Sequence, residues 1–246
     1  MSNLKSTLLS KAWFGFDLDD TLHEFRKAST QASQSVFEAI HFNEGISIDI
    51  LRSTYQDILR TTTANAFTDG RTSVEYRRER LTRLLEVVDG NKVYSTSMSE
   101  IEPLLDIYQS SLRSHLALKP GVVDLFRVLR GLEKNIIVIT EGPADAQQWT
   151  VKELGLEPYI DILVTTNEVG TSKVDGLFGV VLGKYGIDAG DIVYFGDNAV
   201  RDVQAAGETG ILAVLYDEGR NKVLDNLDTL RIDSWRMLLD ILGDGR

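Results

Sequence analysis

Residues 14–20 read Phe14-Gly15-Phe16-Asp17-Leu18-Asp19-Asp20, and this stretch decides the fold. An apolar run of the kind that begins a buried strand stops abruptly in carboxylates: Asp17, Asp19 and Asp20. Acids this close repel one another, and burial strengthens the repulsion. Either a cation offsets it, or the acids stand at a solvent-open strand end. In an open parallel sheet, ligands bind beyond the carboxyl ends of the strands. What ends the other strands therefore tests the idea.

Five runs read as strands: residues 13–18, 136–140, 162–166, 192–195 and 211–216. Most are continuously apolar or β-branched rather than alternating, the pattern of strands buried on both faces. Helical stretches 144–154, 177–185 and 199–206 separate the last four and end at Gly155, Gly186 and Gly207. This alternation predicts an open α/β sheet. Residues 23–115 interrupt it. Stretches 28–42, 48–67, 73–88 and 99–118 carry a 3.6-residue period, with turns at Asn43-Glu44-Gly45, Asp69-Gly70 and Asp89-Gly90-Asn91. They are expected to form a helical cap, residues 23–115, inserted after the first strand. The core is then residues 1–22 and 116–246, with Pro120-Gly121 opening the helix that leads into the second strand.

Composition narrows the function classes. Of 246 residues, 43% are apolar, enough for a packed core. A net charge of −11 makes the chain a poor partner for nucleic-acid polymers and anionic membranes. With no cysteine, thiolate zinc sites, disulfides and cysteine nucleophiles are excluded. The absence of a membrane-span pattern or leader-like start leads us to expect a cytoplasmic protein, monomeric or homodimeric.

The residues after each predicted strand form one constellation. Asp17-Leu18-Asp19-Asp20-Thr21 follows the first, Thr140-Glu141-Gly142 the second, Lys173 lies beyond the third, and Gly196-Asp197-Asn198-Ala199-Val200-Arg201-Asp202 follows the fourth. Asp17 and Asp197 suit a shared Mg²⁺, a hard cation that takes oxygen ligands. Thr140 and Lys173 then suit a phosphate, Asp17 a carboxylate nucleophile, and Asp19 a general acid and base. Singly, each has a bland reading: Asp17 or Asp197 as a turn acid, Thr140 as a strand end, Lys173 as a solvated lysine.

The segments FGFDLDDTL, VITEG, TSKVDGLF and GDNAVRD, in that order, resemble the motifs of the haloacid dehalogenase superfamily. Residues 148–211 also resemble its nucleotidase and N-acylneuraminate-9-phosphatase branch. The resemblance implies a Rossmann-like core with a helical C1-type cap, and phosphoryl transfer through an aspartyl-phosphate. It implies Asp17 as nucleophile and metal ligand, Asp19 as acid/base and a ligand through its main-chain carbonyl, Asp197 as the remaining ligand, and Asp202 behind them. Thr140 and Lys173 are expected to hold the phosphoryl group, with Glu141 beside the substrate where relatives often carry Asn. Val174 stands where relatives often have Pro. The expected function is a Mg²⁺-dependent phosphatase acting on a small phosphorylated metabolite, a sugar phosphate or nucleoside monophosphate. A phosphomutase uses the same residues, a dehalogenase leaves Asp19 and Asp197 without a task, and a regulatory protein that kept the fold is the non-catalytic alternative.

The remaining candidates are expected to be structural or surface residues. His23, His41 and His115 lack metal-ligand spacing, and Trp149 and Trp235 read as helix packing. The arginines of residues 71–83 read as a solvated helix with i,i+4 ion pairs, the rival being that Arg71 faces substrate.

Overall fold

The computed structural model describes residues 2–63, 67–88, 98–219 and 230–243, so the turn expected at residues 89–91 lies outside the described residues. Helix α1 (Ser2–Ser10) precedes β1 (Trp13–Phe16). Four helices follow: α2 (Phe25–Glu44), α3 (Ile48–Thr62), α4 (Ser73–Val88) and α5 (Met98–His115). Then come α6 (Val122–Gly131), β2 (Asn135–Thr140), α7 (Ala144–Glu153), β3 (Ile162–Thr165), the short α8 (Thr166–Val169) and α9 (Leu177–Tyr185). The chain closes with β4 (Ile192–Gly196), α10 (Ala205–Gly207), β5 (Leu212–Tyr216), β6 (Arg231–Ile232) and α11 (Trp235–Gly243).

All six strands are parallel, in the order β3-β2-β1-β4-β5-β6. This is the Rossmann-like α/β architecture expected from the sequence, and its strand order reverses direction between β1 and β4. The buried-on-both-faces pattern has a direct cause. Phe14, Phe16, Ile136, Val138, Val193 and Phe195 point into one layer with Phe126 of α6 and Trp235 of α11. Ile137, Ile139, Ile192 and Tyr194 point into the other, against Leu177, Phe178 and Val181 of α9.

Helices α2 to α5 close around a separate apolar cluster that includes Val36, Phe37, Leu51, Tyr55, Leu84 and Leu112. The two chain passages between this cluster and the sheet are hydrogen-bonded to each other: Lys119 N donates to Leu22 O at 2.9 Å, and Glu24 N to Ala117 O at 3.0 Å.

Several boundaries differ from those expected. β1 ends at Phe16 rather than at residue 18, although Asp17 N still donates to Phe195 O at 2.8 Å. The chain then turns, and Asp20 takes a positive φ of 60°. The helix expected over 48–67 stops at Thr62, and that over 99–118 at His115. Helix 199–206 is a π-helical run, Ala199–Gln204, followed by α10. The sequence reading assigned none of α1, β6 and α11; β6 is only two residues long.

Gly15 is the one position of β1 that cannot carry a side chain. A Cβ there would stand 2.8 Å from Tyr194 Cδ2, because the tyrosine of β4 lies across it. Gly15→Ala should therefore destabilise the fold by about 1–3 kcal/mol, the usual range for forcing atoms into a packed core. Chemical denaturation checks this; a loss within a few tenths of a kcal/mol would show that Tyr194 moves aside freely.

Candidate active site

β1 and β4 are neighbours, with Phe16 in register with Phe195, so Asp17 and Asp197 leave the sheet side by side at the point where strand order reverses. Asp17 is 6% exposed and Lys173 3% exposed. Lys173 Nζ lies 2.6 Å from Asp17 Oδ1 and 2.6 Å from Asp202 Oδ1. Burial works against the lysine's charge, but the two carboxylates outweigh it and hold its pKa well above the ordinary value. Burial also raises Asp17, with Lys173 acting in the opposite sense and Asp202 and Asp197 adding to the rise.

Thr21, which the sequence reading passed over, joins the two strand ends. Its hydroxyl donates to Asp17 Oδ2 at 3.1 Å and accepts from Asp197 N at 3.0 Å. Asp202 is fixed equally well: Oδ2 accepts from Asn198 N at 2.9 Å, and Oδ1 accepts from Tyr194 Oη at 3.3 Å. A Cβ on Gly196 would lie 2.3 Å from Asp202 Cγ, so glycine is needed there for Asp202 to reach Lys173.

The carboxylates of Asp17, Asp197 and Asp202 offer ligand atoms all within 4.8 Å of one another. Burial first, and then Asp202, push Asp197 up to about 6, with Arg26 opposing. Crowded oxygen donors, with the proton affinity of Asp17 and Asp197 raised, are the setting a hard divalent cation suits. The ligands expected from the sequence are the side chains of Asp17 and Asp197 with the main-chain carbonyl of Asp19, and Asp202 stands beside the two side chains. Asp19 turns its carboxylate elsewhere: Oδ1 lies 2.8 Å from His23 Nε2, and Oδ2 accepts from Gln147 Nε2 at 3.3 Å. His23, expected to be merely structural, is fully buried and in contact with a candidate acid/base. With Nε2 as donor to Asp19, its Nδ1 is a bare acceptor with no partner.

The other expected residues fall around this centre. Thr140, at the end of β2, is buried and its hydroxyl donates to Gln147 Oε1 at 3.3 Å. Glu141 is ion-paired with Arg201, and its other oxygen accepts from Lys173 N at 3.1 Å. The carboxylate that replaces the usual Asn is thus neutralised by an arginine of this chain. Gly142 has a φ of 157°, and a Cβ there would meet Gln147 Nε2 at 2.5 Å. Arg26, exposed and unforeseen, reaches Asp197 Oδ2 at 3.0 Å and Asp20 Oδ2 at 3.1 Å.

Beside Asp19 a cavity of about 90 Å³ lies between the sheet edge and the helical cluster. Glu141, Gly142 and Gln147 line it on one side, and Phe67, Tyr76, Arg77, Arg80 and Tyr108 on the other. The arginine run therefore divides. Arg71 pairs with Glu79, stacks over Tyr76 and is not part of this wall. Arg77 and Arg80, expected to be solvated, form part of it.

The sequence profile of the haloacid dehalogenase-like hydrolases matches residues 15–216. Among curated relatives, glyceraldehyde 3-phosphate phosphatase of Methanocaldococcus jannaschii is 29% identical over 126 residues, 50% of this chain and 55% of its own. The chain thus spans about half the length of that relative. Ribulose-1,5-bisphosphate 5-phosphatase of Halopiger xanaduensis is 23% identical over 82% of this chain and 83% of its own. Among solved structures, the magnesium-bound HAD-hydrolase YfnB of Bacillus subtilis superposes with a TM-score of 0.70 at 20% identity, covering 95% of this chain and 99% of that one. The profile spans most of the sheet, the helical cluster and the acidic centre, and the chain belongs to the haloacid dehalogenase-like hydrolases.

Proposed function

We propose that this hydrolase is a Mg²⁺-dependent phosphatase that acts on a small phosphomonoester through an aspartyl-phosphate on Asp17. The observation that carries the reading is the contact of Lys173 with both Asp17 and Asp202 beside a third carboxylate, Asp197. Lys173 on Oδ1 and Thr21 on Oδ2 fix the Asp17 carboxylate in one orientation, as a nucleophile requires. Lys173 and Thr140 supply the ammonium and hydroxyl for the phosphoryl oxygens. Asp17, Asp197 and the main-chain carbonyl of Asp19 are the proposed metal ligands, with Asp202 beside them; a bound Mg²⁺ supplies charge neutralisation for the phosphoryl group and the acids.

The proton accounting falls to Asp19. As an Asp17 oxygen bonds to phosphorus, the bond to the leaving oxygen breaks and Asp19 delivers its proton there. Asp19 then takes a proton from the water that attacks phosphorus, which frees Asp17 and releases inorganic phosphate. Gln147 and His23 hold Asp19 at the mouth of the 90 Å³ cavity, where a leaving group is expected. Residues 23–115 act in this reading as a cap that excludes water and selects the leaving group. The substrate class is a sugar phosphate or nucleoside monophosphate of the cytosol. Among the described residues no helix is long and apolar enough to cross a membrane.

Two outcomes are expected. Asp197→Asn removes a like charge from the cluster, so the metal-free protein should gain about 1 kcal/mol, or ~2–4 °C in Tm for a chain of this size. The same variant should lose most of the thermal shift that Mg²⁺ gives the wild type. An equal Mg²⁺ shift in both proteins would remove Asp197 from the ligand set.

Asp17→Asn should abolish turnover with the fold intact, and Asp19→Asn should lose about 10²–10⁴-fold in rate on an alkyl phosphate. On an aryl phosphate, whose leaving group needs little protonation, the loss should be much smaller, and a phosphoryl group should accumulate on Asp17. Intact mass after an acid quench reads it. Equal losses on both substrates with no trapped phosphoryl group would assign Asp19 a positioning role instead.

A further inference from the structure

Helix α4 carries arginines at 77, 78, 80 and 83, but they are not equivalent. Arg78 pairs with Glu102, and Arg83 with Glu79, which also takes Arg71 from the preceding turn. Arg77 and Arg80 pair with no carboxylate among the described residues. Arg77 Nη1 donates to the neutral Gln109 Oε1 at 2.8 Å, and its guanidinium stacks 4.7 Å over Tyr108. Arg80 is 9% exposed; Nε donates to Thr62 Oγ1 at 3.0 Å, the group lies 5.5 Å over Tyr76 and 5.7 Å over Phe67, and Nη2 is buried with no hydrogen-bond partner among the described residues.

A buried guanidinium donor left unpaired is costly to a fold. A ligand that accepts from it offsets that cost. Both arginines line the cavity that also holds Asp19, whose own carboxylate is occupied by His23 and Gln147. The other acid on that wall, Glu141, is committed to Arg201. The cavity is therefore cationic on its helical side and small, about 90 Å³. That suits a compact charged group.

We propose that this cavity is an anion site: the leaving group of the substrate carries a second small anionic group, a carboxylate or phosphate, that Arg80 and Arg77 bind while Asp19 faces the scissile oxygen. The proposal rests on the phosphatase reading for its reaction, but its binding step stands apart from it.

The test uses three esters that share a two-carbon skeleton: 2-phosphoglycolate, ethane-1,2-diyl bisphosphate and 2-hydroxyethyl phosphate. Calorimetry with the Asp17→Asn protein in Mg²⁺ measures binding without turnover, and kcat/KM with Asp17 intact measures selection. Either or both anion-bearing esters should be favoured over the hydroxyl ester by at least about tenfold, the size of one charge-assisted hydrogen bond; which one tells carboxylate from phosphate. Arg80→Gln should shrink that ratio to within about threefold of unity, and Arg80→Lys, which keeps the charge, should retain a larger part of it. Equal affinity for all three esters, or a preference that survives Arg80→Gln, overturns the proposal. Should Arg80→Gln fail to fold, the Arg80→Lys and Arg77→Gln proteins carry the test, and a preference that neither alters overturns it. Failure to hydrolyse any ester would sink the phosphatase reading alone, since the calorimetric ratio still decides the anion site.

Discussion

The contact on which the site depends is Lys173 held between Asp17 and Asp202 with almost no access to water. Three carboxylates converge there on one buried ammonium, and the exposed Arg26 guanidinium, shared with Asp20, also reaches Asp197, so negative charge remains in excess. Coulomb repulsion in a partly desolvated space does not tolerate that excess lightly, as the raised proton affinity of Asp197 indicates. A bound cation offsets the excess, and Lys173 keeps it small. Without the lysine, uncompensated charge would remain buried, the situation that typically costs about 3–5 kcal/mol when one partner of a buried ion pair is removed.

That arrangement constrains the sheet beneath it. Asp202 reaches Lys173 only because residue 196 has no Cβ, and Tyr194 lies across β1 only because residue 15 has none. Tyr194 in turn donates to Ile139 O at 2.7 Å and touches Asp202, so one tyrosine joins β2, β4 and the acidic centre. Two glycines in adjacent strands thus serve the site as much as the fold. Glycine weakens a strand interior, and the sequence tolerates that cost where a side chain from a neighbour must occupy the space.

The sheet was legible because its signals are local. Continuous β-branched runs mark strands buried on both faces, and the acids after them drew notice only because several such strand ends were read together. Thr21 sat inside the quoted motif, yet its role depends on β4 lying alongside β1, which spacing does not report. Arg80 was readable in principle: Ser73, Tyr76, Arg80 and Leu84 follow the three-to-four residue spacing of the helix's buried stripe, so an arginine on that stripe is the anomaly. Charge runs are usually solvated, and that general expectation hid the exception. Arg26 gave no signal, since its tie to Asp197 crosses 171 residues of chain. The pairing of Glu141 likewise needed Arg201, which the π-helical run after β4 brings within reach.

Asp19 is the residue through which the helical cluster and the acidic centre bear on each other. His23, which holds its carboxylate, forms bridges both to Asp19 and to Leu118, on the passage where the chain returns from the helices. The backbone bonds from Lys119 to Leu22 and from Glu24 to Ala117 lock the same crossing. The imidazole is therefore positioned by the two strands that connect the layers and by neither layer alone. Asp19 is thus tied to this crossing, whereas Asp17, just past β1, is held by Phe195 O, Thr21 and Lys173. In the proposed reaction this connectivity separates the two tasks: the nucleophile belongs to the sheet and the proton carrier to the junction.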